Sequence, residues 1–155
     1  MDTTTTTTGS DPVAASSPAE ELELRRLVGY RVRGIAFVLS RLQIRFENPA
    51  GSAEEPLLEC LAMPTVSRGS IVLTPDDERW AGALRELIAQ DVTTTYEQHG
   101  VGLRLEFPYA ALRVHPRPSA RDGVEIASLG EFGDGARRVW TSGADCFADL
   151  HRELH

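Results

Sequence analysis

The residues best suited to chemistry stand near the C-terminus. Cys146-x4-His151-x3-His155 sets a thiol beside two imidazoles, and His151 and His155 fall one helical turn apart, a spacing that can hold zinc. Asp145 and Asp149 lie close by. The order His-Arg-Glu-Leu-His, however, puts Glu153 in the wrong slot for a zincin, which needs its general base directly after the first histidine. His155 also closes the sequence, where helices fray. The pattern reads as an exposed helix end whose cations complement the helix dipole, and no metal is assigned.

A nucleophilic pair is the second candidate. Cys60 would need His99 or His115 brought to it by the fold. Yet Cys60 lies in Leu57-Leu-Glu-Cys-Leu61, an apolar strand pattern in which a cysteine serves as a small core residue. His99 falls in a turn and His115 on the wet face of a strand. Carboxylates pair at Glu20-Glu21, Glu54-Glu55 and Asp76-Asp77, but none sits in an apolar setting that would raise a pKa for acid catalysis. Gly130, Gly133 and Gly135 mark a turn, not a dinucleotide fingerprint. All 16 basic residues are arginine, which excludes a P-loop and a Schiff-base lysine. No catalytic, cofactor-binding or metal-binding residue is assigned, and no cofactor is implied.

The elements that carry these residues follow from periodicity. Residues 74–90 have a helix-start signature: Thr74 as N-cap, Pro75 at the first position and Asp77 to close a capping box. Trp80, Leu84, Leu87 and Ile88 then form one helical stripe. Ser17-Pro18-Ala19-Glu20 repeats that start before Leu24, Leu27 and Val28, with Gly29 placed to stop the helix. A third start at residues 142–145 precedes Phe147, Leu150 and Leu154. Leu42, Ile44 and Phe46, and again Leu103, Leu105 and Phe107, alternate with polar residues, as in an antiparallel sheet with one wet face. In residues 30–38 the alternation slips, and a bulge at Gly34 would return Val32, Ile35 and Phe37 to one face.

These patterns occur twice. Leu24-Arg-Arg-Leu-Val-Gly-Tyr-Arg-Val32 runs in register with Leu84-Arg-Glu-Leu-Ile-Ala-Gln-Asp-Val92, and Leu42-Gln-Ile-Arg-Phe46 with Leu103-Arg-Leu-Glu-Phe107. The reading is an internal repeat over about residues 17–73 and 74–141. Residues 1–16, rich in Thr and Ser, are expected to form a disordered tail. Residues 17–155 form a single α+β domain. It is mainly antiparallel β, with two similar helix-strand-hairpin halves, about eight strands and about three helices, the last at the C-terminus.

Leu27, Gly29 and Val32, the segment Leu42–Phe46, then Leu87, Val92 and Leu103–Phe107 carry a resemblance. Over residues 24–114 the layout resembles an uncharacterised family of small actinobacterial proteins, a domain of unknown function. The chain departs from that pattern in having Pro108-Tyr109-Ala110 where Asp-Gly is expected, and in lacking an aromatic-acidic segment near its end. That family has no assigned activity, so the resemblance implies a fold habit and no catalytic residue.

Function is read from charge and composition. The formal net charge of −7 disfavours nonspecific binding to nucleic acid or to anionic membrane. No run is apolar enough to span a membrane, and two unpaired cysteines without a signal sequence indicate the reduced cytoplasm. The expectation is a non-enzymatic binding or interaction protein, either an accessory subunit or an immunity-type protein that occludes a partner. The alternative is a small hydrolase or ligand-binding enzyme with a pocket between the two halves. Homo-oligomerisation stays open. The partner is expected to be a protein or an anionic ligand. Arg31, Arg33, Arg41 and Arg45, grouped on the outer face of one hairpin, are the candidate contact residues. The competing reading pairs them with acidic neighbours such as Glu59.

Overall fold

Alternating side chains, not helical stripes, dominate the structure. The computed structural model describes residues 22–98, 101–116 and 123–143. In these it holds ten strands: β1 (Arg31–Val38), β2 (Arg41–Glu47), β3 (Leu57–Cys60), β4 (Thr65–Arg68), β5 (Ile71–Leu73), β6 (Thr94–Gln98), β7 (Gly102–Phe107), β8 (Ala110–Val114), β9 (Glu125–Gly130) and β10 (Arg138–Thr141). Every neighbouring pair is antiparallel. One sheet has the order β1-β2-β3-β9-β10 and the other β5-β4-β8-β7-β6. Leu42, Ile44, Phe46 and Leu58 from the first sheet share one buried cluster with Val66, Leu103, Leu105 and Leu112 from the second. This is the layer logic of a sandwich.

The α+β expectation with about three helices is therefore corrected to a mostly antiparallel β fold. Among the described residues the helical segments are α1 (Trp80–Arg85) and one 3-10 turn (Leu24–Leu27). The third expected helix, the Ser17 cap and the N-terminal tail lie outside the described residues. The long helix over 74–90 fails at both ends for local reasons. The Asp77 carboxylate accepts from the Arg79 amide at 2.8 Å and from its guanidinium, so it does not reach back to Thr74. Such local side-chain bonds compete with helix initiation. At the other end, Leu87 and Ile88 donate only three residues back, and Ala89 takes a left-handed φ of 77°. A six-residue helix is not stable by itself. It persists because Trp80, Ala83 and Leu84 are buried and the Trp80 indole donates to the Pro64 carbonyl at 2.9 Å.

The sheet order contains a two-fold arrangement. Residues up to β5 give three strands to the first sheet and two to the second, and the later strands do the converse. The two parts meet where Tyr30–Val32 runs antiparallel to Gln90–Val92. Val92 donates to Tyr30 at 2.8 Å and Val32 to Gln90 at 3.0 Å. Gly29 donates to Val92 and Ala89 to Val32, each at 2.8 Å. Exchanging Gly29 with Ala89, Tyr30 with Gln90 and Val32 with Val92 carries this bond set into itself. Arg31 and Asp91 face each other at its centre, 3.0 Å apart. The β1–β2 register shifts between Val32 and Gly34, leaving Arg33 as the extra residue. Phe37 is not turned into the core as expected: it is 54% exposed and rests edge-on against Trp80.

Candidate functional site

Among the described residues, those singled out for chemistry do not form a catalytic set. Cys146, His151, His155, Asp145, Asp149 and His99 lie outside the described residues. Cys60 points into the core from β3, between Leu42 and Ala127, and burial pushes its thiol up to about 12, so it is not a nucleophile at neutral pH. His115 follows β8 in the other sheet and its Nδ1 lies 3.0 Å from the Pro116 carbonyl oxygen. Among the described residues no group of three His, Cys, Asp or Glu side chains is placed to hold a metal ion. Glu54 and Glu55 diverge. Glu54 accepts from the Tyr30 hydroxyl at 2.6 Å and the Gly133 amide at 2.7 Å, while Glu55 pairs with Arg33. These two donors, the tyrosine first, hold the Glu54 carboxyl below its ordinary value.

Arg31, Arg41 and Arg45 point away from the core on β1 and β2, with Arg33 at the bulge, and each has a carboxylate partner. Arg31 meets Asp91 at 3.0 Å, Arg41 meets Glu59 at 3.2 Å, Arg33 meets Glu55, and Arg45 meets Glu131. Arg45 also donates to the Glu55 carbonyl at 2.9 Å. Gln43 joins Arg41 on Glu59, whose carboxyl is held below its ordinary value by the Gln43 bond first. The face is a lattice of matched charges.

A different region has the form of a binding site. A cleft of about 690 Å³ opens between the β4–β5 hairpin, α1 and the β7–β8 turn. Its floor is apolar, from Leu73 and Ala83. Its rim carries Arg68 and Glu86, bonded at 3.0 Å, and two exposed apolar side chains, Ile71 at 49% and Tyr109 at 80%. Strand β5 borders it and is the last strand of its sheet, so one backbone edge has no strand neighbour among the described residues. An apolar floor, an aromatic residue and arginine at the lip match the composition of protein-binding surfaces.

Sequence reading missed this cleft because β4 was not recognised. Thr65-Val-Ser-Arg68 is short, follows a proline and shows only two alternations. The Pro108-Tyr109 turn was the available signal. It joins two alternating runs, and an exposed aromatic at a tight turn is informative. A scan against protein-family models, a search of curated proteins and a search of solved structures return no match for this chain.

Proposed function

We propose that this chain is a binding protein that seats an apolar segment of a partner polypeptide in the cleft beside β5. The supporting observation is the exposure of Ile71 and Tyr109 at the mouth of an apolar-floored cleft. Exposed apolar groups gathered at a concavity mark interaction sites more than scattered ones do. The partner's backbone would extend along the β5 edge and its side chains would fill the space over Leu73 and Ala83. In this reading the chain acts as an accessory subunit or as an immunity-type protein that occludes its target, in the cytoplasm. The Arg31, Arg33, Arg41 and Arg45 face is the less favoured contact, because a partner would first have to displace carboxylates already bound to each guanidinium. No helix among the described residues is long and apolar enough to cross a membrane.

The test compares two double variants as bait in the native cell extract. Ile71→Ser with Tyr109→Ser should lose the stoichiometric species that the wild type retains, with an unchanged melting temperature. Arg41→Glu with Arg45→Glu should keep that species. The opposite pattern would move the contact to the arginine face and overturn the cleft.

A further inference from the structure

We propose that Arg104 and Arg113, with the hydroxyls of Thr65 and Ser67, form a site for a phosphate-class oxyanion on the outer face of the second sheet. The inference does not depend on the cleft reading. Tyr96, Arg104, Arg113 and Thr65 are successive partners across β6, β7, β8 and β4 and so form one row on one face. In the next row Glu106, Ala111 and Ser67 are partners. The small side chain of Ala111 leaves a hollow beside the two guanidinium groups. This is a cavity of about 200 Å³ whose lining includes Thr65, Ser67, Val72, Arg104, Ala111 and Arg113. Among the described residues its charged lining is two arginines, on a chain of net charge −7.

Like charges directly opposite each other on neighbouring strands are unfavourable. Here they are also partly desolvated. The Arg104 Nε is buried with no hydrogen-bond partner among the described residues. Burial first, and then the facing Arg104, pull the Arg113 guanidinium below its ordinary value. Glu106 offsets part of this through Arg104 at 2.8 Å, and the Tyr96 ring lies 5.9 Å from the same guanidinium. A dianion in the hollow would turn the repulsion of the two guanidinium groups into joint attraction, because guanidinium forks fit tetrahedral oxyanions and the hydroxyls of Thr65 and Ser67 can donate to the remaining oxygens. Val72 gives the hollow an apolar lip, suited to the organic part of a phosphate monoester.

The experiment titrates the full chain with inorganic phosphate and, separately, with phenyl phosphate, followed by calorimetry at constant ionic strength in chloride buffer. Saturable one-to-one binding is expected. Tighter binding of phenyl phosphate identifies a monoester as the ligand, and tighter binding of inorganic phosphate identifies the free anion. Arg104→Gln and Arg113→Gln should each weaken binding about tenfold or more, as loss of a charge-assisted bond requires. Arg41→Gln should leave it unchanged. If either arginine variant fails to fold, Thr65→Val with Ser67→Ala decides, with an expected weakening of about threefold or more. No saturable binding of either probe by ~10 mM, or wild-type affinity in a folded Arg104→Gln or in the hydroxyl double variant, would overturn the site.

Discussion

Glu97 on β6 closes one end of the sandwich, and replacing it with glutamine should cost nearly as much as removing it. One carboxylate oxygen accepts from the Trp140 indole at 2.9 Å and from the Arg138 guanidinium at 3.1 Å. The other accepts from the Leu24 amide at 2.8 Å. Glu97 thus ties the second sheet to β10 of the first and to the 3-10 turn. All its partners are donors. A glutamine has one acceptor oxygen, and its NH2 must then face a donor whichever way it is turned. If the oxygen stays with Trp140 and Arg138, the amide of the fully buried Leu24 is orphaned. If it turns to Leu24, the indole and the guanidinium lose their acceptor. Leaving a buried donor unmet costs about 1–3 kcal/mol, and hydrogen bonds to charged groups are worth about 1.5–3 kcal/mol each. Arg138 keeps its bond to the Leu22 carbonyl at 3.1 Å, which limits the loss on that side. Glu97→Gln should therefore destabilise by about 2–4 kcal/mol and Glu97→Ala by about 3–5 kcal/mol. At roughly 2–4 °C per kcal/mol for a chain of this size, the glutamine variant should melt about 4–16 °C lower. Urea unfolding followed by tryptophan fluorescence should show a lower midpoint with an unchanged slope. A Glu97→Gln variant within about 0.5 kcal/mol of the wild type would refute the three-donor account.

Leu84→Ala should cost about 2–5 kcal/mol in the same unfolding assay, since Leu84 is fully buried on the inner side of α1 and its loss leaves a cavity. Ala89→Gly should raise stability by about 0.5–1 kcal/mol, because Ala89 holds a φ of 77° and its counterpart in the first half, Gly29, holds 93°. A thermal melt checks it, and a lower melting temperature would show that Ala89 is not strained. Glu54 has a folded-state pKa below its unfolded value, so its contribution is present above the unfolded pKa and is lost as pH falls through the folded one. Glu54→Gln should accordingly flatten the acid limb of a stability–pH curve. Tyr30 is raised, by burial first and then by Glu54, so its share persists below the unfolded tyrosine pKa and is lost as pH rises through the folded one. Tyr30→Phe should flatten the alkaline limb.

The sequence by itself determined the inward faces of β2 and β7. Side chains in a strand alternate with a period of two, so Leu42, Ile44 and Phe46, like Leu103, Leu105 and Phe107, have one way to be buried together. A bulge in β1 was legible for the same reason, as a slip in that period, but the extra residue is Arg33 and Gly34 pairs with Arg45. Helix extent was not legible. Thr74, Pro75 and Asp77 satisfy a capping pattern, but the Asp77 carboxylate is taken by the Arg79 amide and guanidinium. The cleft and the arginine row depended on partners far apart in the chain. Tyr109 meets Arg68 and Ile71 only through the packing of the β4–β5 hairpin. Arg104 opposes Arg113 only in the register set by pairing Phe107 with Ala110. A sequence shows which residues share a face of one strand. Which strand lies beside it is decided by burial of the whole core, because backbone hydrogen bonds are the same for any neighbour and apolar burial alone distinguishes them.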